Sequence, residues 1–184
     1  MQHKFPHLRA AIERAKVIEL PQPGSKTYKF RTFAFGERGT MVDHNLVEEV
    51  SDGLCASIRE NFEDFDYIVA PEPGGHTWGI LVASKLGKSI NILRSQPSYE
   101  ESETEVQRKT GYYQQNLYFN HFQSGDKVLV IDDVVSTGGT LDTILETFGS
   151  IGVIPIGVQV IYAKSDDYKK LEQKHSIPIR FLEK

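Results

Sequence analysis

Two adjacent carboxylates followed by a loop of small residues are the most informative feature of this chain. Asp132 and Asp133 come directly after four apolar residues. The loop behind them contains Ser136, Thr137, Gly138, Gly139 and Thr140. Carboxylates repel phosphate but accept hydrogen bonds from the cis-diol of a ribose, whereas such a loop at a helix start presents backbone N–H groups and hydroxyls to an anion. The pattern therefore predicts a site for a 5-phosphoribosyl group, although a helix cap would explain Ser136 or Thr137 alone.

The elements that must position these residues are a buried strand and the helix after it. Residues 128–131 form an uninterrupted apolar run, which is typical of a parallel strand buried on both faces. In an open α/β sheet, ligands bind at the carboxyl ends of such strands. Similar alternation along the chain predicts an α/β fold with a central, mainly parallel sheet flanked by helices. We predict further strands at 67–70, 89–93, 156–162 and 178–182, and helices at 6–18, 45–61, 77–86, 141–148 and 168–175.

A second candidate loop follows the strand at 67–70 and precedes a helix. It contains Glu72, Pro73, Gly74 and Gly75. Parallel strands place both loops on the same edge of the sheet, and adjacent glycines allow a ligand to approach the backbone closely. Inward-facing amide groups here would hold a pyrophosphate, and Arg94, at the end of the next strand, would meet phosphate oxygens bidentately. The alternatives are an ordinary glycine-rich connection and a surface arginine.

Composition is that of a soluble globular protein with a single domain over residues 1–184. Hydrophobic residues make up 39% and charged residues 25% of the 184 positions. A net charge of −4 argues against a general nucleic-acid surface, and no apolar run is long enough to span a membrane. The only cysteine is Cys55, so no internal disulfide can form, and we expect a cytoplasmic protein.

The stretch 128–141 resembles the phosphoribosyl pyrophosphate (PRPP) motif of type I phosphoribosyltransferases. Residues 105–120, EVQRKTGYYQQNLYFN, are similar to the corresponding arm of archaeal-type purine phosphoribosyltransferases. The resemblance implies the fold of that family, with a small hood built from about residues 1–45 and 165–184. It also implies a homodimeric purine salvage enzyme that uses Mg²⁺ and converts PRPP and a purine base into a purine nucleoside monophosphate and pyrophosphate.

The resemblance also implies roles for the two loops. The loop at 72–75 corresponds to the family's pyrophosphate loop, where a strained or cis peptide is common, and Arg94 corresponds to an arginine that reaches the pyrophosphate. Asp132 and Asp133 would grip the ribose hydroxyls and would complete the magnesium shell, directly or through water.

A charged, aperiodic segment at 95–111 predicts a mobile loop that closes over the site. Phosphoribosyl transfer passes through an oxocarbenium-like centre, from which a closed lid would exclude water. Lys109 would offset pyrophosphate charge, and Glu105 would serve the base nitrogen that changes protonation. The spacing does not choose among the four glutamates of this segment, and a solvated charge run is the alternative.

Two residues near the end of the strand at 156–162 are candidates for contact with the purine base. Lys164 resembles the lysine of hypoxanthine-guanine enzymes whose ammonium donates to the 6-oxo group, and Tyr162 could stack on the ring. Ser136, however, replaces an aspartate that many such enzymes carry, and adenine-specific relatives have alanine there. We therefore favour hypoxanthine or guanine, with adenine as the alternative. Orotate, uracil or xanthine as acceptor, and a non-catalytic PRPP-sensing regulator, remain further hypotheses.

Overall fold

The computed structural model describes residues 4–22, 26–39, 41–109 and 114–184. Its helices are α1 Pro6–Glu13, α2 His44–Asn61, α3 Gly74–Leu86, α4 Gly139–Ile151 and α5 Tyr168–His175. Its strands are β1 Lys16–Gln22, β2 Lys26–Thr32, β3 Tyr67–Pro71, β4 Ser89–Leu93, β5 Thr104–Lys109, β6 Gln114–Phe119, β7 Lys127–Val135, β8 Ile154–Ala163 and β9 Ile179–Glu183.

A five-stranded sheet in the order β4-β3-β7-β8-β9 forms the centre of the molecule, and all of its strand pairs are parallel. Strand β7 lies in the middle because its side chains are apolar on both faces. Leu129 and Ile131 pack into a core with α1, α2 and α3, whereas Val128 and Val130 pack into a second core with α4 and α5. The predicted α/β fold is confirmed.

The N-terminal region differs from the helix predicted at 6–18. Helix α1 ends at Glu13, and residues 16–18 belong to strand β1, which pairs antiparallel with β2 from Lys16 opposite Thr32. The β-branched Val17 and Ile18 fit a strand as well as a helix face, and the pairing with β2 decides between them. The N-cap of α2 is Asp43, whose side chain accepts from Asn45 N at 3.0 Å.

The prediction of a mobile loop at 95–111 is wrong over residues 104–109, and residues 110 and 111 lie outside the described residues. Strand β5 pairs antiparallel with β6, from Thr104 opposite Phe119 to Lys109 opposite Gln114. The buried side chains of Leu117 and Phe119 anchor this arm in the core beside α4. Strand β5 is rich in charged residues and lacks the apolar alternation by which a strand is predicted from sequence. Its extended conformation is stabilised by pairing with β6, which the sequence of β5 alone does not indicate.

The chain ends take different positions in the molecule. Helix α1 and its N-cap residue bury Leu8 and Phe5 in the core that is shared with α2 and α3. Strand β9, part of the predicted hood, is the edge strand of the central sheet beside β8. Residues 1–3, 23–25 and 40 of the predicted hood lie outside the described residues.

Candidate active site

The paired acids lie inside strand β7, two residues before its end. Asp132 and Asp133 are 7% and 8% exposed. Asp133 Oδ1 accepts from Val134 N at 2.7 Å, and its Oδ2 accepts from Glu37 N at 2.7 Å. Asp132 Oδ1 accepts from Asp133 N at 2.9 Å. Burial raises the pKa of Asp133, and the hydrogen bonds from backbone N–H groups offset this only in part.

Helix α3 begins against these carboxylates. It starts at Gly74, three residues earlier than predicted, so both loop glycines lie in its first turn. A Cβ on Gly74 would lie 2.4 Å from Asp133 Oδ2, and one on Gly75 would lie 2.6 Å from the carbonyl oxygen of Ile131. Since real Cβ atoms do not approach this closely, only glycine lets α3 pack here. The structure thus brings the two predicted loops together at one edge of neighbouring parallel strands.

The loop after β7 leads directly into helix α4. Ser136 and Thr137 are exposed, and Gly138 adopts a left-handed conformation with φ of 81°. Gly138 is the N-cap of α4 and therefore supplies no side-chain cap, and Gly139 and Thr140 form the first turn. A helix N-terminus without a side-chain cap keeps backbone donors available for an anion.

Glu72 and Arg94 form an ion pair beside the first turn of α3. Arg94 Nη1 lies 2.7 Å from Glu72 Oε1, and Ser95 donates to Glu72 Oε2 through its N at 2.9 Å and its Oγ at 3.1 Å. The side chains of Glu72 and Arg94 are 18% and 50% exposed. Burial alone would raise the pKa of Glu72, but the bonds from Ser95 and Arg94 lower it. The adjacent Glu72–Pro73 peptide bond is cis.

The two residues predicted to contact a base lie close to the acids. Lys164 Nζ lies 5.2 Å from the centroid of the Phe33 ring, and Tyr162 meets that ring edge-on at 5.4 Å. Burial lowers the pKa of Lys164, while the negative charges of Asp133 and Glu37 oppose this effect. One cation, one aromatic pair and two acids therefore share one region.

Sequence reasoning missed Phe33 and Glu37 as parts of this region. Phe33 is buried, and it stacks on Phe35 with ring centroids 5.1 Å apart. Two aromatic residues just before Gly36 were a signal that could have drawn attention to this segment. Glu37 contacts Asp133 through its backbone N–H, which every residue except proline has, so the residue type at position 37 does not indicate this contact.

The structure does not bring Glu105 to the acids. In β5 it lies opposite Tyr118, and its carboxylate accepts from the side chain of Asn116 on the neighbouring strand. Lys109 forms the last backbone pair of the arm, with Gln114, and its side chain lies outside the part of the chain that the structure describes. Both roles stay predictions.

Two kinds of feature are absent from the part of the chain that the structure describes. No group of three or more His, Cys, Asp or Glu side chains could hold a metal ion. No helix is long and apolar enough to cross a membrane. The paired acids alone therefore do not form a resident metal site, and a magnesium ion fits here only if a ligand brings most of its oxygen atoms.

Comparison with known proteins finds a family model and relatives that match most of the chain. A family model described as the phosphoribosyl transferase domain matches residues 38–178, which include both loops and Lys164. The chain is 34% identical over 164 residues to the hypoxanthine/guanine phosphoribosyltransferase of Methanosarcina mazei, covering 88% of this chain and 85% of that protein. It is 30% identical over 177 residues to the enzyme of the same name from Methanothermus fervidus, covering 96% and 90%.

Solved structures share the fold at lower identity. The adenine phosphoribosyltransferase of Saccharomyces cerevisiae superposes with a TM-score of 0.71 at 19% identity, covering 96% of this chain and 98% of that one. The Trypanosoma brucei enzyme, solved with AMP, pyrophosphate and ribose 5-phosphate, gives a TM-score of 0.74 at 16% identity, covering 100% and 81%. At these identities the likeness shows a shared fold.

Proposed function

Because this chain belongs to the phosphoribosyl transferase domain family, we propose that it makes a purine nucleoside monophosphate and pyrophosphate from PRPP and a free purine base. Hypoxanthine and guanine are the proposed acceptors. The observation that carries this proposal is the convergence of two carboxylates with the starts of α3 and α4 at one sheet edge. The names of the two archaeal relatives support the same reaction and the same bases.

Each part of PRPP has a matching group in this arrangement. The 5-phosphate would bind the loop made of Ser136, Thr137, Gly138, Gly139 and Thr140. Asp132 and Asp133 would accept from the ribose hydroxyls, and the first turn of α3 with Arg94 would hold the pyrophosphate. Mg²⁺ would arrive as part of the PRPP complex, where it offsets pyrophosphate charge, because the acids provide too few ligands for a resident ion.

Transfer then needs little covalent chemistry from the protein. N9 of the base forms a bond to C1 of the ribose while the bond from C1 to the pyrophosphate oxygen breaks, and the electron pair leaves with pyrophosphate. The base also loses a ring N–H proton, for which Glu105 remains the predicted acceptor, although in this structure it lies on the paired arm and away from the acids. Fixed donors around the leaving group and correct placement of both reactants would supply most of the rate.

The choice of base rests on Lys164. Its ammonium is a donor only, so it matches the 6-oxo group of hypoxanthine or guanine and conflicts with the 6-amino group of adenine. Tyr162 and Phe33 would form the apolar wall of the base site. Adenine remains the second candidate, because Ser136 stands where many 6-oxopurine enzymes carry an aspartate.

The test is an assay of the whole chain with PRPP and Mg²⁺ against hypoxanthine, guanine and adenine in turn, measuring nucleotide and pyrophosphate. We expect product with the two 6-oxopurines. Lys164→Met should lower kcat/KM for them by about 10-fold or more, because a hydrogen bond from a charged donor is lost, and should affect adenine less. Adenine as the preferred acceptor would overturn the base assignment. PRPP binding without product from any base would favour a sensor.

A further inference from the structure

The 5-phosphate loop lies against a segment of the chain from which the proposed reaction uses only the side chain of Lys164. We call residues 164–175, which comprise the turn after β8 and α5, the C-terminal brace. It contacts the loop and its flanks at several successive points. These contacts are formed by Lys164, Ser165, Leu171, Lys174 and His175.

The first contacts hold the start of the loop through its backbone. Lys164 N donates to the carbonyl oxygen of Val135 at 2.9 Å, which extends the pairing of β7 with β8. Ser165 Oγ lies 3.4 Å from the carbonyl oxygen of Ser136, the first residue of the loop. The exit of the loop from the sheet is therefore tied to the brace.

The middle of the loop is held by packing. A Cβ on Gly138 would lie 2.4 Å from Leu171 Cδ1 and 3.1 Å from Leu171 Cγ, so the leucine rests directly on the glycine backbone. Leu171 is 6% exposed. Gly138 has φ of 81°, and glycine reaches many other conformations almost as easily. The side chain of Leu171 therefore restricts the loop residue with the greatest conformational freedom.

The end of the loop is held by charge. Asp142, in the first turn of α4, accepts from His175 Nε2 at 2.6 Å and from Lys174 Nζ at 2.8 Å. Asp142 N in turn donates to the carbonyl oxygen of Gly138 at 2.8 Å. Partial burial alone would raise the pKa of Asp142, but the bonds from Lys174 and His175 lower it.

We propose that the brace fixes the 5-phosphate loop in its anion-binding conformation, with Leu171 and Asp142 as positioning residues for the phosphoribosyl group. The inference rests on the proposed function for the identity of the ligand. A loop held in its binding shape loses less conformational entropy when phosphate binds, and its affinity is correspondingly higher. The brace would thus act on PRPP and not on the base.

The kinetic consequence is specific. The 5-phosphate remains bound in the same way in the ground state and in the transition state, so a loosened loop should weaken both equally. Such a loss raises KM for PRPP and leaves kcat unchanged. A merely structural role would instead lower the amount of active protein, which reduces apparent kcat and leaves KM unaltered.

The test compares Leu171→Ala with Leu8→Ala, which removes the same side chain from the core on the opposite face of the sheet. We expect L171A to raise KM for PRPP about 10-fold with kcat and the KM for hypoxanthine nearly unchanged, and L171M to restore KM. L8A should leave KM for PRPP unaltered. An unchanged KM in L171A, or an equal increase in L8A, would overturn the inference.

A second readout separates this inference from the proposed function. Binding of ribose 5-phosphate to the full chain, measured by calorimetry, requires no transfer reaction. L171A should weaken it about 10-fold, and Asp142→Asn should weaken it about 3-fold, since it loses one charge and keeps the packing. If the wild-type chain transfers nothing but binds ribose 5-phosphate in this order of affinities, only the proposed reaction fails. Equal affinities in all three proteins would refute the brace.

Discussion

At the residue scale, Asp133 combines near-complete burial with a position at the ligand edge of the sheet. Its two oxygens already accept from Val134 N and Glu37 N. Each carboxylate oxygen has a second lone pair, so the group can accept from a ribose hydroxyl without giving up these bonds. Burial raises the pKa of Asp133 and makes the ionised form costly, and the hydrogen bonds from Asp132, Val134 N and Glu37 N offset this only in part.

We expect Asp133→Asn to lower turnover at least 100-fold and to leave the melting temperature within about 3 °C of wild type. The amide loses the charge that grips the ribose, and its NH₂ group faces a backbone donor, while relief from burying a charge offsets the lost bond. Steady-state kinetics and calorimetry measure the two effects. Asp64→Asn, at an exposed position with φ of 54° that asparagine tolerates, is the matched control. Wild-type turnover in D133N would remove Asp133 from the proposed mechanism.

Glu72 is a carboxylate within a predicted pyrophosphate site, where its charge would be repelled. The ion pair with Arg94 gives it an indirect role, since it holds the guanidinium beside the first turn of α3. The bonds from Ser95 orient the carboxylate itself. We therefore interpret Glu72 as the residue that orients the guanidinium of Arg94 for contact with pyrophosphate.

This interpretation predicts that Glu72→Gln raises KM for pyrophosphate in the reverse reaction by roughly 3- to 10-fold. Stability should change little, because Arg94 is half exposed and such ion pairs contribute at most about 1 kcal/mol. Glu19→Gln removes a comparable exposed ion pair with Lys29 and should have no kinetic effect. If Arg94→Gln weakens pyrophosphate binding and E72Q does not, Glu72 does not position the arginine.

At the element scale, the start of α3 is defined by close contact rather than by helix propensity. Gly74 and Gly75 are poor helix formers, and for that reason the sequence predicts a helix only from residue 77. In the folded chain the absence of two side chains lets the helix axis approach Asp133 and the carbonyl of Ile131. The sequence alone does not show that residues 74 and 75 must lack a side chain, because the nearest atoms that a Cβ would meet belong to the neighbouring strand β7.

Gly74→Ala should therefore displace the Asp133 carboxyl and lower kcat/KM for PRPP by more than 10-fold, even though alanine favours the helix. Gly149→Ala is the matched control, because Gly149 lies inside α4 and, apart from the helix's own backbone and its chain neighbours, no atom lies within 4 Å of its missing Cβ. That substitution should keep activity and stabilise the protein by about 0.5–1 kcal/mol. The measurements are kinetics and thermal unfolding. Full activity in G74A would show that the close approach has no functional role.

How far the sequence predicts each element depends on where its stabilising contacts come from. The strands at 67–70 and 89–93 were predicted within one residue, because apolar runs mark buried strands directly. The arm at β5 and β6 was missed in part, since backbone pairing between two polar segments stabilises it. The acids and both loops of the candidate site were predictable from motif, whereas Glu37 was not, because it contributes only its backbone N–H.

At the scale of the whole molecule, two hydrophobic cores pack on opposite faces of the central sheet and support different parts of the candidate site. One core joins α1, α2 and α3 to the sheet face below the acids, and the other joins α4 and α5 to the face below the 5-phosphate loop. The candidate site lies where both meet the carboxyl ends of β3 and β7. Its residues come from segments as far apart in the chain as Phe33 and Lys164, so no short isolated fragment can form it.

The first helix and the last strand are neighbours in this fold. Arg9 Nη2 lies 3.8 Å from Glu183 Oε2, and Phe5 and Leu182 both pack against Gly53. The exposed turn at Gly125 lies at the amino end of β7, on the side of the sheet away from the ligand loops. The two chain ends could therefore be joined, and the chain opened at Gly125, without changing the arrangement of the helices and strands.

A circularly permuted protein, joined end to end through a short glycine-rich linker and opened at Gly125, should fold and keep kcat and KM for PRPP within about 3-fold of the parent. Exposed turns tolerate new termini, and every contact of the ligand edge would be retained. Opening the chain at Gly138 instead should abolish binding of ribose 5-phosphate, because the new ends would fall inside the anion loop. Loss of activity in the first permutant with its melting temperature preserved would reveal a dependence of the ligand edge on the Gly125 connection.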